Sequence, residues 1–246
     1  MTPTRLLLAL LINAVAAGGT YSTKVISLSG AIGGFIMGFL IYLFTDWPGY
    51  VVLVSFFVIG TLVTKVKYGE KADKGIAQED EGRRGSKHVI ANCSASLLLG
   101  LGAFIAALME SPDLAMLFMV GYTGAFATAL SDTSSSELGQ AYGKTTFLLT
   151  NFKRVPPGTE GAVSLEGTLA GIVMSFILAL IGFFVHLYPT WVGVICVVIA
   201  AFVGNTLESV IGSTIERLSF INNEVTNFIN TLIGAGTAML LYFLIT

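Results

Sequence analysis

Apolar stretches of roughly 17 to 25 residues recur along the whole chain, each long enough to cross a hydrocarbon core of about 30 Å as a helix. A helix satisfies its own backbone hydrogen bonds where no water is present. A β-barrel would need short alternating segments, and runs such as Val51 to Gly60 or Trp191 to Val203 do not alternate. Apolar windows lie near residues 5–21, 26–45, 49–65, 88–109, 114–131, 167–187, 190–213 and 226–245. With 54% apolar and only 11% charged residues among 246, a water-soluble domain could not cover its own surface. The expected fold is therefore all-α: one integral membrane domain over residues 1–246, a polytopic helical bundle of about eight spans.

The connections support that count. Those at Asp46 to Pro48, Glu110 to Asp113 and Tyr188 to Thr190 are short and carry no Lys or Arg. With an outer N-terminus, Lys24, Lys65, Lys67, Lys71, Lys74, Arg83, Arg84, Lys87, Lys144, Lys153, Arg154 and Arg217 all fall on one side, and of the 13 basic residues Arg5 alone faces the other. By the positive-inside rule the basic side is cytoplasmic or its organelle equivalent, whether in a bacterial plasma or thylakoid-type membrane or in a plastid-envelope equivalent. One span more or fewer would scatter these loops over both faces. Asp46, Glu110 and Asp113 are the acidic residues left outside, so chemistry is expected on the inner face.

Several functions and features are set aside. A net charge of -2 with interleaved signs suggests no nucleic-acid partner. Cys93 and Cys196 lie in apolar stretches and make neither a disulfide framework nor a zinc site. Arg5 followed by Leu6 to Ala17 reads as a first span rather than a cleaved signal peptide. Gly30, Gly34 and Gly38 form a smooth stripe for helix packing. The segment from Lys65 to His88 reads mainly as a solvated loop of mixed charge, with Arg83, Arg84 and His88 beside Asn92 best placed to meet a phosphate or headgroup.

Three constellations can carry chemistry. Ser131 to Gly139 places Asp132 and Glu137 among hydroxyls at the membrane boundary, which suits a divalent cation with hard oxygen ligands; Ser134 with Glu137 equally spells a helix capping box. Lys153 and Arg154, then Gly158, Thr159, Glu160, Gly161, Ser164, Glu166 and Thr168, lead into the sixth span. Small residues, a helix N-terminus and two cations make a plausible phosphate cradle there, or an ordinary Pro-Gly turn. Asn205, Glu208, Ser209 and Gly212 form a polar stripe on the seventh span, followed by Asn223, Glu224, Asn227 and Asn230 on the eighth. A carboxylate within a span costs roughly 2.5 to 3.5 kcal/mol, so a partner or cation is expected for Glu208. Gly139 to Thr145 looks like a shortened P-loop, but no α/β domain surrounds it and the likeness is read as coincidence.

The stretch Ser131-Asp132-Thr133-Ser134-Ser135-Ser136-Glu137-Leu138-Gly139-Gln140-Ala141-Tyr142-Gly143-Lys144-Thr145 and the stretch from Val155 through Pro156-Pro157-Gly158-Thr159-Glu160-Gly161 to Ser164-Leu165-Glu166-Gly167-Thr168 resemble the phytyl-phosphate kinase family. That family includes the transmembrane-protein-19-like proteins. Arg83-Arg84-Gly85 with Asn92, and Glu208-Ser209 with Gly212, extend the resemblance over nearly the whole chain. More distantly, the Arg83, Asp132 and Ser164 regions look like CTP-dependent polyprenol kinases.

The resemblance implies phosphoryl transfer from a nucleoside triphosphate, with CTP the expected donor, to phytyl phosphate or a similar isoprenyl phosphate, for tocopherol and phylloquinone synthesis. For that reaction the expected mechanism has Mg²⁺ held by Asp132 and Glu137 with help from Glu208 or Glu224, and charge neutralised by Lys153, Arg154 and the loop amides around Gly158 to Gly161. Arg83, Arg84, Asn92, Asn205, Ser209, Asn223 and Asn227 are expected around the substrates. Nucleotidyl transfer giving a CDP-lipid, secondary transport and lipid binding without turnover stay open at this stage.

Overall fold

The computed structural model of the chain describes residues 2–78, 82–214 and 222–246; Arg217 lies outside the described residues. The chain forms α1 (Pro3–Ser22), α2 (Leu28–Lys65), the short α3 (Tyr68–Asp73), α4 (Ser86–Leu108), α5 (Pro112–Tyr142), a two-residue antiparallel pair β1 (Phe147–Leu148) and β2 (Ala162–Val163), α6 (Leu165–Phe184), α7 (Trp191–Thr214) and α8 (Asn223–Ile245). Seven of these helices are long and apolar enough to cross a membrane.

The eighth crossing lies within α2. Its 38 residues would make a straight rod of about 57 Å, nearly twice the hydrocarbon thickness. The helix instead breaks at Asp46, whose φ of 59° is left-handed, and Pro48 starts the next limb, where a missing N–H costs nothing. The Asp46 Oδ1 accepts from the Trp47 N–H at 2.7 Å. The chain then doubles back: the Tyr42 and Tyr50 rings meet edge-on with centroids 5.4 Å apart, and Gly38 packs against the Tyr50 ring. Twelve residues of continuous helix would put those two about 18 Å apart. Arg84 touches both Gly30 on one limb and Gly60 on the other. The separate windows at 26–45 and 49–65 are thus two antiparallel limbs of one hairpin.

At the centre stands α5, buried without interruption from Val120 to Ser131. Around it run α2, α4, α8, α7 and α6, each touching the next. Phe126 packs on Phe56 of α2 and edge-on against Tyr122, within a core that includes Leu130, Leu178 and Val197. The first helix, α1, lies outside this ring against α2, where its buried Asn13 accepts from the Tyr50 hydroxyl at 3.1 Å and Arg5 pairs with Asp46 at 3.4 Å.

Two expectations change. Hydropathy ends the fifth span at residue 131, but the helix runs on to Tyr142, because residues 131–140 turn polar to face a cavity without leaving the helix. Ser134 is consequently a buried mid-helix residue and no cap, so the capping-box reading of Ser134 and Glu137 falls. The segment after Lys65 is only partly a solvated loop: Glu70, Asp73 and Lys74 face outward, but Lys71 is buried.

Candidate functional site

Where α2, α4, α6 and α8 begin, their first turns surround a cavity of about 1000 Å³. Each start has a local cause. The Ser27 side chain caps α2 by accepting from the Gly30 N–H, the Ser164 side chain caps α6 by accepting from the Gly167 N–H at 3.1 Å, and the Asn222 side chain caps α8 by accepting from the Val225 N–H at 2.9 Å. The start of α4 follows Gly85, an N-cap without a side chain. Four helix N-termini at one chamber bring four partial positive charges and unpaired N–H groups, an environment that favours anions.

The inner ends of α5 and α7 supply the acidic wall. Asp132 and Glu137 of α5 line the cavity, as do Asn205, Glu208 and Ser209 of α7 and Asn223, Glu224 and Asn227 of α8. The Asn205 side-chain amide donates to the Ser135 hydroxyl at 2.7 Å, and the Asn227 side-chain amide to the Asn223 Oδ1 at 2.9 Å. Arg83, Lys87 and His88, with Arg84 and Asn92, form the basic side. The Arg84 guanidinium is 7% exposed and rests over the Phe56 ring, 5.7 Å from its centroid. Burial pushes its pKa below the ordinary value, while the charges of Glu137 and Asp132 push it back.

Two loops roof the chamber. Ile76, Ala77 and Gln78 come from the segment after α3, with Gln78 Nε2 2.8 Å from His88 Nε2. Gly158 to Gly161 come from the loop before α6, and the two loops meet where Ile76 packs on Gly158. Gly158 and Gly161 both have left-handed φ, 86° and 69°. Gly161 also lies so close to α7 that a Cβ would overlap the Ser209 carbonyl and the Ser213 amide.

Nearly all the expected site residues therefore reach one cavity: Arg83, Arg84, Asn92, Asp132, Glu137, Gly158, Thr159, Glu160, Gly161, Ser164, Thr168, Asn205, Glu208, Ser209, Asn223, Glu224 and Asn227. Three do not. Lys153 and Arg154 are exposed on the loop between β1 and β2, and Glu166 sits in the first turn of α6 off the lining. The Glu137 carboxylate is moreover taken up by the buried Lys71 ammonium. Ser27, Ser29 and the 76–78 segment were missed; the Ser27 cap ahead of an apolar run was a readable signal, while nothing local marks the others. Gly139 to Tyr142 closes α5 with no strand before it, which disposes of the P-loop likeness.

Comparison with known proteins gives a consistent family. A family model described as "Integral membrane protein DUF92" matches residues 11–235. The Arabidopsis thaliana protein named "Protein VTE6, chloroplastic" is 40% identical over 220 residues, covering 88% of this chain and 65% of that protein. The chain thus spans slightly under two thirds of that relative. An uncharacterized membrane protein of Synechocystis is 41% identical over 206 residues, 83% of this chain and 78% of its own. Another, from Methanocaldococcus jannaschii, is 33% identical over 238 residues, 97% of this chain and 94% of its own. No solved structure matches.

Proposed function

Because the chain belongs to the integral membrane family DUF92, we propose that it is a lipid-phosphate kinase, transferring the γ-phosphoryl group of a nucleoside triphosphate to phytyl phosphate or a similar isoprenyl phosphate. The observation that carries this reading is convergence. Polar patches scattered over more than a hundred residues of sequence meet in one anion-favouring cavity at the end of an apolar bundle. A lipid phosphate at that end keeps its tail among the helices and its head in the chamber. The motif resemblance to the phytyl-phosphate kinase family supports the substrate, and the more distant likeness to polyprenol kinases supports CTP as donor.

In this reaction an acceptor phosphate oxygen bonds to the γ-phosphorus, the bond from γ-phosphorus to the bridging oxygen breaks, and the nucleoside diphosphate leaves. The acceptor is a monoester, with a second pKa of about 6, so it is largely ionised near neutral pH and needs no strong general base. Charge neutralisation is the main task. Arg83, Arg84, Lys87 and the helix N-termini would supply it, in place of Lys153 and Arg154, which are exposed and off the cavity lining.

Among the described residues no three His, Cys, Asp or Glu groups are placed to hold a metal by themselves. That donor set fits Mg²⁺, which takes one or two carboxylates and fills its remaining positions with water and substrate phosphates. Asp132, with Glu208 or Glu224, would hold it, and the ion would neutralise donor phosphate charge. The excess of basic residues at this end supports a cavity on the cytoplasmic or equivalent side, where nucleotides are available.

Incubating the purified chain with phytyl phosphate, CTP and Mg²⁺ and identifying the products tests the proposal. Phytyl diphosphate and CDP are expected. A CDP-lipid with pyrophosphate would instead make the protein a nucleotidyltransferase, and flux into liposomes without lipid phosphorylation would make it a transporter.

A further inference from the structure

Among the described residues three charged side chains are buried, and they stand together: Lys71 is 1% exposed, Glu137 6% and Arg84 7%. The cluster is built on one turn of α2. The Arg84 guanidinium rests on Gly60, and Lys71 Nζ donates to the Thr64 carbonyl oxygen at 2.9 Å and to the Glu137 carboxylate. Gly60 and Thr64 are four residues apart on the same helix face, so a carboxylate beside Thr64 lies within reach of both cations. Glu137 and Arg84 line the cavity, whereas Lys71 does not. The Arg84 Nε–H is buried and has no hydrogen-bond partner among the described residues.

Two cations and one anion leave a net charge of +1. Buried charges seek partners strongly, so the allocation of the single carboxylate decides which cation remains available. Lys71 holds it. We propose that Lys71 is a positioning residue of the phosphate-binding cavity: by engaging Glu137 it keeps the Arg84 guanidinium available to a substrate phosphate at the cavity wall. Glu137 then serves as a counter-charge and not as a metal ligand. The inference rests on the proposal that the cavity takes phosphates and is independent of which phosphoryl transfer follows.

Binding of pyrophosphate to the purified full chain, measured by calorimetry in detergent, tests this. Lys71→Met frees Glu137 to pair with Arg84 and is expected to weaken binding about tenfold or more, since a charged hydrogen bond is lost to the ligand. Lys71→Arg, Glu137→Gln and the double variant Lys71→Met/Glu137→Gln are expected to bind within about threefold of the wild type or tighter, because each leaves Arg84 unclaimed. Rescue by the double variant is the decisive result. If the double variant binds as weakly as Lys71→Met, if Lys71→Met binds normally, or if the wild type binds no pyrophosphate, the proposal is overturned. Should Lys71→Met not accumulate, a tenfold loss in Glu137→Gln or in the double variant overturns it equally. The product assay on the wild type separates the two readings. The expected binding pattern without diphosphate synthesis sinks the kinase alone, and synthesis without the pattern sinks the role of Lys71 alone.

Discussion

Asp132 and Glu137 stand about one and a half turns apart on one helix, and the fold sets them in different surroundings. Asp132 opens onto the chamber, whereas Glu137 is committed to Lys71. Asp132→Ala should lower turnover by at least about a hundredfold while the protein keeps its place in the membrane and its melting behaviour, as loss of a group that handles developing charge does. Retained turnover would remove Asp132 from the proposed metal site. Gly161→Ala should act differently: it forces a side chain into a left-handed φ and against α7, at a cost of about 1–3 kcal/mol from backbone strain alone. A lower thermal midpoint together with a raised KM is the expected signature. The carboxylates and glycines were legible in the sequence because hydroxyls, prolines and apolar spans frame them. Lys71 was not legible, since its partner lies 66 positions away and nothing nearby distinguishes it from a solvated lysine.

Among the helices, α5 and α2 show where hydropathy succeeds and where it stops. Both limbs of α2 were visible as windows, because Asp46, Trp47 and Pro48 interrupt the apolar run, but sequence could not show that the break is a single left-handed residue within one hairpin. The end of α5 was placed about three turns early, because a helix facing a polar cavity has the composition of a loop. Attachment of α1 depends on a close fit: Asn13 lies against Gly38, and a side chain there would strike its Oδ1. Gly38→Leu should therefore lower stability by roughly 1–3 kcal/mol, as overpacking does, and leave KM for the phosphates unaltered in the protein that remains folded. Thermal unfolding in detergent alongside kinetics checks both halves of that expectation.

For the molecule as a whole, the proposed topology rests on the asymmetry of Lys and Arg, since charge crosses a bilayer only at high cost and basic loops favour the cytoplasmic side. The convergence of α4, α5, α7 and α8 on one cavity was not readable, because a linear pattern fixes which end of a span is polar but not which spans are neighbours. In a chain with Cys93 and Cys196 replaced by alanine, Asp113→Cys should react with an impermeant maleimide added outside right-side-out vesicles, and Lys74→Cys only after permeabilisation. Labelling of both from the same side would contradict the single crossing, α4, between them. The chamber is walled chiefly by polar groups, with Ile76, Ala77, Pro157, Ala162 and Val163 the larger part of its hydrocarbon. Such a site gauges a headgroup and has no ruler for a tail. Isoprenyl phosphates of different length or saturation should be turned over at similar kcat, and preference among them should follow how each partitions into the bilayer, which competition assays in liposomes of defined composition will measure.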